Sequence, residues 1–233
     1  MISIIIPVYN GAKTIINTIR SIEAQTYRSF EVIIVNDGSR DNTRSIFEKF
    51  LETFKVENNY FFINQENKGA PAARNRGLRE ASGKYLFFCD CDSILKNNAL
   101  ERMIQGLEEN PEVAYVYSSF YWGNKLFKLW PFDVERLKKM PYIHTMSLIR
   151  RDAFPENGWD ENIKKLQDWD LWLTMLENGY EGFFINEALF KIKPGGTISS
   201  WLPAFAYKAL PFLPAVKKYK RAVKIIKNKH NLI

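Results

Sequence analysis

Cysteine and histidine are scarce in this chain, which has two of each among 233 residues. Cys89 and Cys91 lie two positions apart on one face of a predicted strand, which is a poor geometry for bridging, so we expect no disulfide. Only His144 and His230 could act as imidazole ligands, and we expect no zinc site. Both absences are typical of proteins of the reducing cytosol and argue against a disulfide-stapled secreted protein.

Long apolar runs are missing too. The run at residues 1–7 is too short for a signal peptide or a membrane span, and no basic leader precedes it, so we expect a core strand there. A later apolar stretch, residues 202–216, is interrupted by Pro203, Pro211 and Pro214. It falls short of the roughly 20 residues that cross a bilayer. These features predict a cytoplasmic protein.

Acidic residues are absent from the last part of the chain, although the net charge of the whole is +7. Residues 1–187 carry 23 lysines and arginines against all 26 acids, whereas residues 188–233 carry 10 and no acid. The basic character therefore belongs to a tail, residues 201–233. A nucleic-acid partner is not expected, because the charge sits in one appendage without a recognition motif.

The tail shows helical periodicity from residue 215 onward. Its apolar positions are Val216, Tyr219, Val223 and Ile226, and lysines and arginines lie between them. This pattern predicts a basic amphipathic helix. Such a helix could lie on an anionic membrane surface, or it could pack its apolar stripe on the body of the protein.

What the chain does have is a regular alternation of apolar runs and helical patterns. Runs at residues 3–8, 30–35 and 60–63 read as buried strands, as does the run that begins at residue 85, and helical patterns lie between them. The third helix is expected from about Pro71 to Ala81, with Gly83 closing it. The alternation predicts an α/β fold with a parallel, doubly wound sheet.

Polar clusters follow three of these runs. They are residues 9–10, 36–39 and 90–92. Each alone could be ordinary turn chemistry. Ligands of doubly wound sheets bind outside the carboxyl ends of the strands, so the three together predict a ligand crevice.

The organising stretch is residues 85–93, an apolar run that ends at two acids. The period-2 alternation of this predicted strand puts Asp90 and Asp92 on the same face, so both carboxylates point the same way. Two like charges in one small volume raise the pKa values of both groups unless a cation lies between them. Hard oxygen donors suit Mg or Mn, so we expect a divalent cation here.

Five ordered motifs resemble those of the family 2 inverting glycosyltransferases. They read SIIIPVYN at 3–10, VNDGS at 35–39, NKGAPAARNRG at 67–77, DCD at 90–92, and GWDE at 158–161 followed by QDWDLWL at 167–173. The resemblance covers about residues 2–200. It implies a GT-A fold, which is a Rossmann-like, mainly parallel sheet flanked by helices, here followed by the basic helical tail.

The resemblance also implies that the sugar donor and the acceptor bind in different parts of the chain. A nucleotide-diphosphate sugar, with a UDP-sugar as the first guess, would bind in residues 1–118, and a saccharide or lipid-linked acceptor in residues 119–200. The nucleotide would be contacted by Pro7, Tyr9, Asn10, Asp37, Arg74 and Asp90. Asp92, with Asp90, would hold Mg or Mn on the diphosphate, and Asp168 would be the catalytic base.

Two positions depart from the pattern of that family. Gln167 stands where members commonly have Glu, and Lys193 stands where many have a His before Pro-Gly. If that His is a metal ligand in relatives, metal binding here is weaker or Lys193 contacts the diphosphate directly. A solvated loop lysine is the alternative.

Other assignments stay open at this point. Asp168 and Asp170 could simply complement the dipole of a helix N-terminus, and Asp170 could orient its neighbour. His144 could touch substrate or could be packed, and the aromatic segment 113–151 could be a sugar platform or core. Two rival functions remain: a sugar nucleotidyltransferase, which would favour a Gly-rich N-terminal loop, and a catalytically inactive nucleotide-sugar-binding or membrane scaffold protein.

Overall fold

The structure is a computed structural model that describes residues 1–54, 60–194 and 212–232. The strands are β1 Ile2–Val8, β2 Phe30–Asp37, β3 Tyr60–Gln65, β4 Tyr85–Phe88, β5 Ser93–Leu95, β6 Tyr115–Trp122, β7 Lys125–Phe127, β8 Leu148–Arg150 and β9 Gly182–Ile192. The helices are α1 Ile15–Glu23, α2 Thr43–Phe54, α3 Ala70–Glu80, α4 Ala99–Glu109, α5 Val134–Lys139, α6 Gln167–Glu177 and α7 Pro214–Lys229. The strands form one sheet in the order β3-β2-β1-β4-β8-β6-β9-β5, with β7 paired to β6.

The first half of the sheet is parallel, as the alternation of strands and helices predicts. β1 pairs in parallel with β2 and β4, and β2 pairs in parallel with β3. Every residue of β2 is buried, and so is every residue of β1 except the half-buried Pro7. Strands buried on both faces have no polar face to present, which is why they read as continuous apolar runs.

The second half of the sheet is mixed. β8 runs antiparallel to both β4 and β6, and β9 runs parallel to β6 and antiparallel to β5. The prediction of a parallel sheet is therefore correct only for the first half. The pairing of Ser93 with Ile192 brings the end of β9 beside the 90–92 motif.

The central strand is shorter than the sequence predicts, because β4 ends at Phe88 and not near residue 93. The chain then turns. The amide and the hydroxyl of Ser93 donate to the carbonyl oxygen of Asp90, at 3.2 and 2.6 Å. The prediction that strand alternation orients Asp90 and Asp92 is thus wrong in its reason, since a turn and not a strand sets their directions.

Helix α3 ends at Glu80 with Ala81 as its C-cap, close to the predicted end, but Gly83 does not close it. Gly83 instead allows a close crossing of the chain. A Cβ atom at this position would lie 2.6 Å from the amide nitrogen of Ser3. Only glycine leaves room for that approach.

The aromatic segment 113–151 is mostly core. Tyr115 and Tyr117 are buried, and the Tyr115 ring stacks on Trp172 of α6 with ring centroids 4.5 Å apart. Tyr121 and Trp130 are the exceptions among the large rings, with 37% and 43% of their surface exposed. Packing therefore accounts for most of this segment.

The predicted amphipathic helix of the tail is present as α7, and residues 201–211 of the predicted tail lie outside the described residues. Val216 and Ile226 are fully buried, and Ile226 belongs to the main core, against which Val223 also packs. Of the two alternatives, packing of the apolar stripe on the body is what the described part shows. None of the helices in the described ranges is both long and apolar enough to cross a bilayer.

Candidate active site

The turns that follow β1 and β2 are tied together at the carboxyl edge of the sheet. Asn10 adopts a left-handed φ of 53° directly after β1. Its side-chain oxygen accepts from the Arg40 amide, and its own amide donates to Ser39 Oγ, both at 2.9 Å. Pro7 and Tyr9 are half-buried next to this turn in the chain. The predicted nucleotide contacts at the end of β1 therefore lie against the second motif.

Asp37, at the end of β2, organises the loop that leads into α3. Its Oδ1 accepts from Gln65 Nε2 at 2.8 Å and from the Lys68 amide at 2.9 Å, and its Oδ2 accepts from the Gly69 amide at 2.9 Å. Only 3% of Asp37 is exposed. Because Oδ2 has one described donor, it keeps acceptor capacity for a ligand.

Asp90 and Asp92 interact electrostatically, although no strand aligns them. Burial, and then the charge of Asp90, raise the pKa of Asp92 to about 6. Both carboxylates are half-buried. A cation placed against them would relieve this repulsion.

Arg74 lies in the middle of the site. This side chain of α3 is 3% exposed, and its guanidinium donates to Gln167 Oε1 at 2.9 Å and to Asp90 Oδ1 at 3.2 Å. The guanidinium carbon also lies 4.7 Å from the ring centroid of Trp159. Arg74 therefore joins three of the sequence motifs, and the departure Gln167 serves here as a hydrogen-bond acceptor.

Asp168 lies in the first turn of α6 and is half-buried. Its Oδ1 accepts from the Trp169 amide at 2.9 Å. Burial raises the pKa of Asp168, and the nearby charges of His144 and Arg74 work in the opposite direction. A carboxylate of raised pKa binds a proton more readily, as a general base requires.

His144 is the site residue that reasoning from sequence did not settle. Its Nε2 lies 3.9 Å from Asp90 Oδ2, and its ring packs against the stacked rings of Phe120 and Phe190, with centroids 5.0 and 5.3 Å away. The Met146 amide donates to Nδ1 at 3.1 Å, which leaves the proton of the neutral ring on Nε2. Burial lowers the pKa of His144. No local signal distinguishes this histidine, since its partners are distant in sequence.

Lys193 follows β9 and lies beside the DCD motif. Its amide donates to the carbonyl oxygen of Asp92 at 3.1 Å, and its side chain is exposed. The sheet pairing thus brings the second departure from the family pattern next to Asp92.

The donor set fits a hard divalent cation that keeps most of its own ligands. Among residues 1–54, 60–194 and 212–232, no group of three or more histidines, cysteines, aspartates or glutamates is placed to hold a metal ion. Mg and Mn are commonly held by one or two carboxylates together with substrate phosphates and water. Asp90 and Asp92 supply such a pair. Arg74 bonds Asp90, whereas burial and the charge of Asp90 raise the pKa of Asp92, so Asp92 is the carboxylate that a cation would favour most.

The described contacts arrange the predicted residues in two groups. One consists of Asn10 and Asp37 with the loops that they fasten. The other joins Arg74, Asp90 and Asp168, since Arg74 bonds both Asp90 and the neighbour of Asp168. The first joins the turns after β1 and β2 to the loop that leads into α3, and the second brings a guanidinium next to the carboxylate Asp90 and to the neighbour of Asp168.

The sequence model of the family described as glycosyl transferase family 2 matches residues 3–158. An uncharacterized glycosyltransferase of Rickettsia felis is 28% identical over 224 residues, covering 88% of this chain and 35% of the relative. The chain spans about a third of the length of such curated relatives.

Two solved structures share the fold. TarS 1–349 of S. aureus in complex with UDP has a TM-score of 0.70 and 21% identity, and covers 82% of this chain and 60% of TarS 1–349. The mannosyltransferase PcManGT of Pyrobaculum calidifontis, in complex with GDP-Man and Mn2+, has a TM-score of 0.69 and 19% identity, with coverage of 99% and 69%. The predicted GT-A type of fold, a curled α/β sheet with flanking helices and a C-terminal helix, is confirmed.

Proposed function

The chain belongs to glycosyl transferase family 2, and on that premise we propose that it moves a sugar from a nucleotide-diphosphate sugar to an acceptor hydroxyl with inversion. The observation that carries the proposal is the connected group of Arg74, Asp90 and Asp168 at the carboxyl edge of the sheet. It combines a carboxylate of raised pKa with a carboxylate pair suited to a cation.

Asp168 takes the proton of the acceptor hydroxyl. The acceptor oxygen then forms a bond to the anomeric carbon from the face opposite the diphosphate, and the bond to the diphosphate oxygen breaks. One displacement inverts the anomeric centre, through a transition state with oxocarbenium character. Arg74 lies near enough for its charge to oppose the rise in the pKa of Asp168.

The donor occupies the edge formed by Pro7, Tyr9, Asn10 and Asp37. UDP is the first choice of nucleotide, in keeping with the UDP complex of TarS, and GDP is the alternative, in keeping with the GDP-Man complex of PcManGT. Asp92 and Asp90 would hold Mg or Mn, and the bound cation would neutralise charge on the leaving diphosphate.

Lys193 offers a second source of positive charge. The contact of its backbone with Asp92 puts it at the entrance to the carboxylate pair. In this proposal its ammonium contacts the diphosphate where many relatives carry a histidine.

The acceptor belongs to residues 119–200 in this proposal, and the donor to residues 1–118. We take it to be a saccharide or a lipid-linked saccharide of a surface polysaccharide pathway, met on the inner face of the membrane. Support comes from the basic tail, since Lys217, Lys220 and Lys224 of α7 are exposed.

Calorimetric titration of UDP, GDP and dTDP, with and without Mn, tests the proposal. We expect one nucleotide to bind, and Mn to strengthen its binding in the wild type but not in Asp92→Ala. Asp152→Ala is the matched control, because Asp152 is exposed in the turn after β8. If no nucleotide binds under any condition, the transferase proposal fails and a scaffold role replaces it.

A further inference from the structure

The C-terminal end of α7 is a built structure, not a frayed terminus. The Leu232 amide donates to the Lys227 carbonyl oxygen at 2.8 Å, and the Asn231 amide to that of Asn228 at 3.3 Å. Asn231 has a left-handed φ of 51°. These are the bonds of a Schellman motif, and Leu232 adds its usual apolar contact by packing on the core. The motif fixes the direction of the last side chains of the helix.

Two of those side chains, Lys229 and His230, bind acids of a distant part of the chain. His230 Nε2 lies 2.9 Å from Asp170 Oδ1, and His230 Nδ1 lies 2.9 Å from Glu177 Oε1. Lys229 Nζ lies 2.8 Å from Asp170 Oδ1 and 2.8 Å from Asp160 Oδ2. A histidine that bonds carboxylates with both nitrogens donates from both, which makes it an imidazolium.

Asp170 lies two residues after Asp168, in a helical turn that lacks the usual local support. No side chain caps the N-terminus of α6, and Leu166, the residue before it, has a left-handed φ of 59°. A non-glycine residue in that region persists only where its surroundings hold it.

Tertiary contacts hold this turn at three side chains on either side of Asp168. Gln167 accepts from Arg74 at 2.9 Å, and Trp169 Nε1 donates to the Leu137 carbonyl oxygen at 2.7 Å. Asp170, 4% exposed, is held by Lys229 and His230. One of the three attachments of the base-bearing turn therefore comes from the end of the tail.

The space beside this attachment is open. A cavity of about 910 Å³ is lined by Phe154, Trp159, Asp170, Thr174 and His230, among others. Close apolar packing therefore does not fix the turn on this side, so the ionic contacts carry that task.

We propose that Lys229 and His230 are positioning residues for the reaction, which hold Asp170 and through it set the position of Asp168. The inference rests on the proposed role of Asp168 as base. It assigns the C-terminal tail a part in the active site, beside any contact with a membrane.

The test compares Lys229→Met and His230→Gln with two controls on the same elements. Glu177→Gln removes the other partner of His230 at the far end of α6, and Lys224→Met changes an exposed lysine of α7. In each full-length variant we would measure nucleotide affinity, release of nucleoside diphosphate from the donor that wild type turns over, Tm, and hydrogen exchange of residues 166–173.

We expect turnover to fall by about 10- to 100-fold in Lys229→Met and His230→Gln, since small misplacement of a reacting group has effects of that size. Nucleotide affinity should stay within about twofold, because the predicted nucleotide contacts at Asp37 are made by other elements. Hydrogen exchange of residues 166–173 should rise. Glu177→Gln should lower Tm yet keep turnover, and Lys224→Met should change neither.

Full turnover in both tail variants would overturn the inference. So would a loss of turnover that is proportional to the loss of Tm in all four variants, since that would reflect stability alone. Unchanged exchange of residues 166–173 would overturn it too, even without an active assay. Asp168→Asn, measured in parallel, separates failure of the proposed function from failure of this inference. If Asp168→Asn keeps full turnover, the assignment of Asp168 as base has failed. Hydrogen exchange of residues 166–173 still decides whether the tail holds the turn.

Discussion

At the scale of single residues, the carboxylate pair makes metal binding dependent on pH. Burial and the charge of Asp90 raise the pKa of Asp92 to about 6, so Asp92 is ionised at pH 7 and protonated at pH 5. A proton competes with the cation for this group. We expect the Mn-dependent gain in nucleotide affinity to fall by about tenfold from pH 7 to pH 5.

Calorimetry at pH 5, 6 and 7, with and without Mn, measures that gain. Affinity without Mn serves as the internal control, since it removes other effects of pH on the nucleotide site. A gain that stays constant to pH 5 would contradict the assignment of Asp92.

Asp168 gives a second prediction at this scale. In Asp168→Asn the amide cannot accept a proton, so transfer should fall by about 100- to 10,000-fold, the range for loss of a general base. Nucleotide affinity should not change, because Asp168 belongs to α6 and not to the strand ends. The matched control is Asp152→Asn at an exposed position. Equal losses in both variants would show that the effect is not one of base catalysis.

At the scale of elements, the contact of α7 with α6 links stability to pH. Burial lowers the pKa of His230, but the hydrogen bonds to Asp170 and Glu177 outweigh it, and the net effect is a raised pKa. The folded state therefore holds a proton that the unfolded chain releases above its ordinary value of 6.5. This stabilisation is complete below pH 6.5 and is lost as pH rises through the higher, folded-state value.

We expect Tm to fall as pH increases above 6.5, and this fall to be smaller in His230→Gln. His144 cannot cause this fall, because burial lowers its pKa. Any effect of His144 on stability is therefore confined to pH values below the ordinary pKa of 6.5. Thermal melts from pH 6 to pH 9 measure the difference. Parallel curves for the two proteins would mean that His230 is not protonated in the fold.

The packing of α3 on β1 gives another prediction about elements. A Cβ at Gly77 would lie 2.4 Å from Ile5 Cγ2, so Gly77→Ala overpacks a buried contact. We expect a loss of about 1–3 kcal/mol in the free energy of unfolding, although alanine favours helices. Gly106→Ala in α4 is the control, since its nearest contact, 3.2 Å to Ile185 Cδ1, is the end of a flexible side chain. Denaturant unfolding that ranks the two variants equally would contradict this reading.

The elements also show where prediction from sequence succeeds. Strands β1 and β2 are predicted because each is a continuous apolar run, and helix α7 because its apolar residues recur with helical spacing. Both are local patterns in the sequence. The end of β4 is missed because a side-chain bond from Ser93 to the Asp90 carbonyl stops the strand, and apolar periodicity does not report such bonds.

The candidate site divides in the same way. Asp90, Asp92 and Asp168 stand in motifs, so the sequence indicates them. His144 and His230 do not, because each acquires its role from partners 54 and 60 residues away, Asp90 and Asp170, which only the fold brings close. The antiparallel pairing of β4 with β8 depends on contacts equally distant in sequence.

At the scale of the whole molecule, charge is divided between a body and a tail. All 26 acids lie in residues 1–187, and residues 188–233 have none. Because α7 buries Val216 and Ile226, its apolar stripe is not free to insert into a membrane while the helix is docked. The docked helix exposes a basic face, Lys217, Lys220 and Lys224, beside the exposed apolar side chain of Ile225, so we expect its contact with a bilayer to be mainly electrostatic.

We therefore expect the protein to sediment with vesicles that contain phosphatidylserine, and not with pure phosphatidylcholine vesicles. Changing Lys217, Lys220 and Lys224 to Gln should weaken this binding by about 100-fold, since each basic residue near an anionic surface contributes about 1 kcal/mol. Raising the salt from 50 to 500 mM should release the wild type, because screening shortens the reach of these charges.

The control for this experiment must change the same amount of charge elsewhere on the molecule. Lys13, Lys49 and Lys139 are exposed on the body, so changing all three to Gln lowers the net charge equally. If binding followed net charge alone, both triple variants would weaken alike, and the face of α7 would have no special part. If only the α7 variant weakens, the tail orients the molecule on the membrane. Binding that resists 500 mM salt would instead indicate apolar insertion, either by the exposed Ile225 or by Val216 and Ile226 after their release from the body.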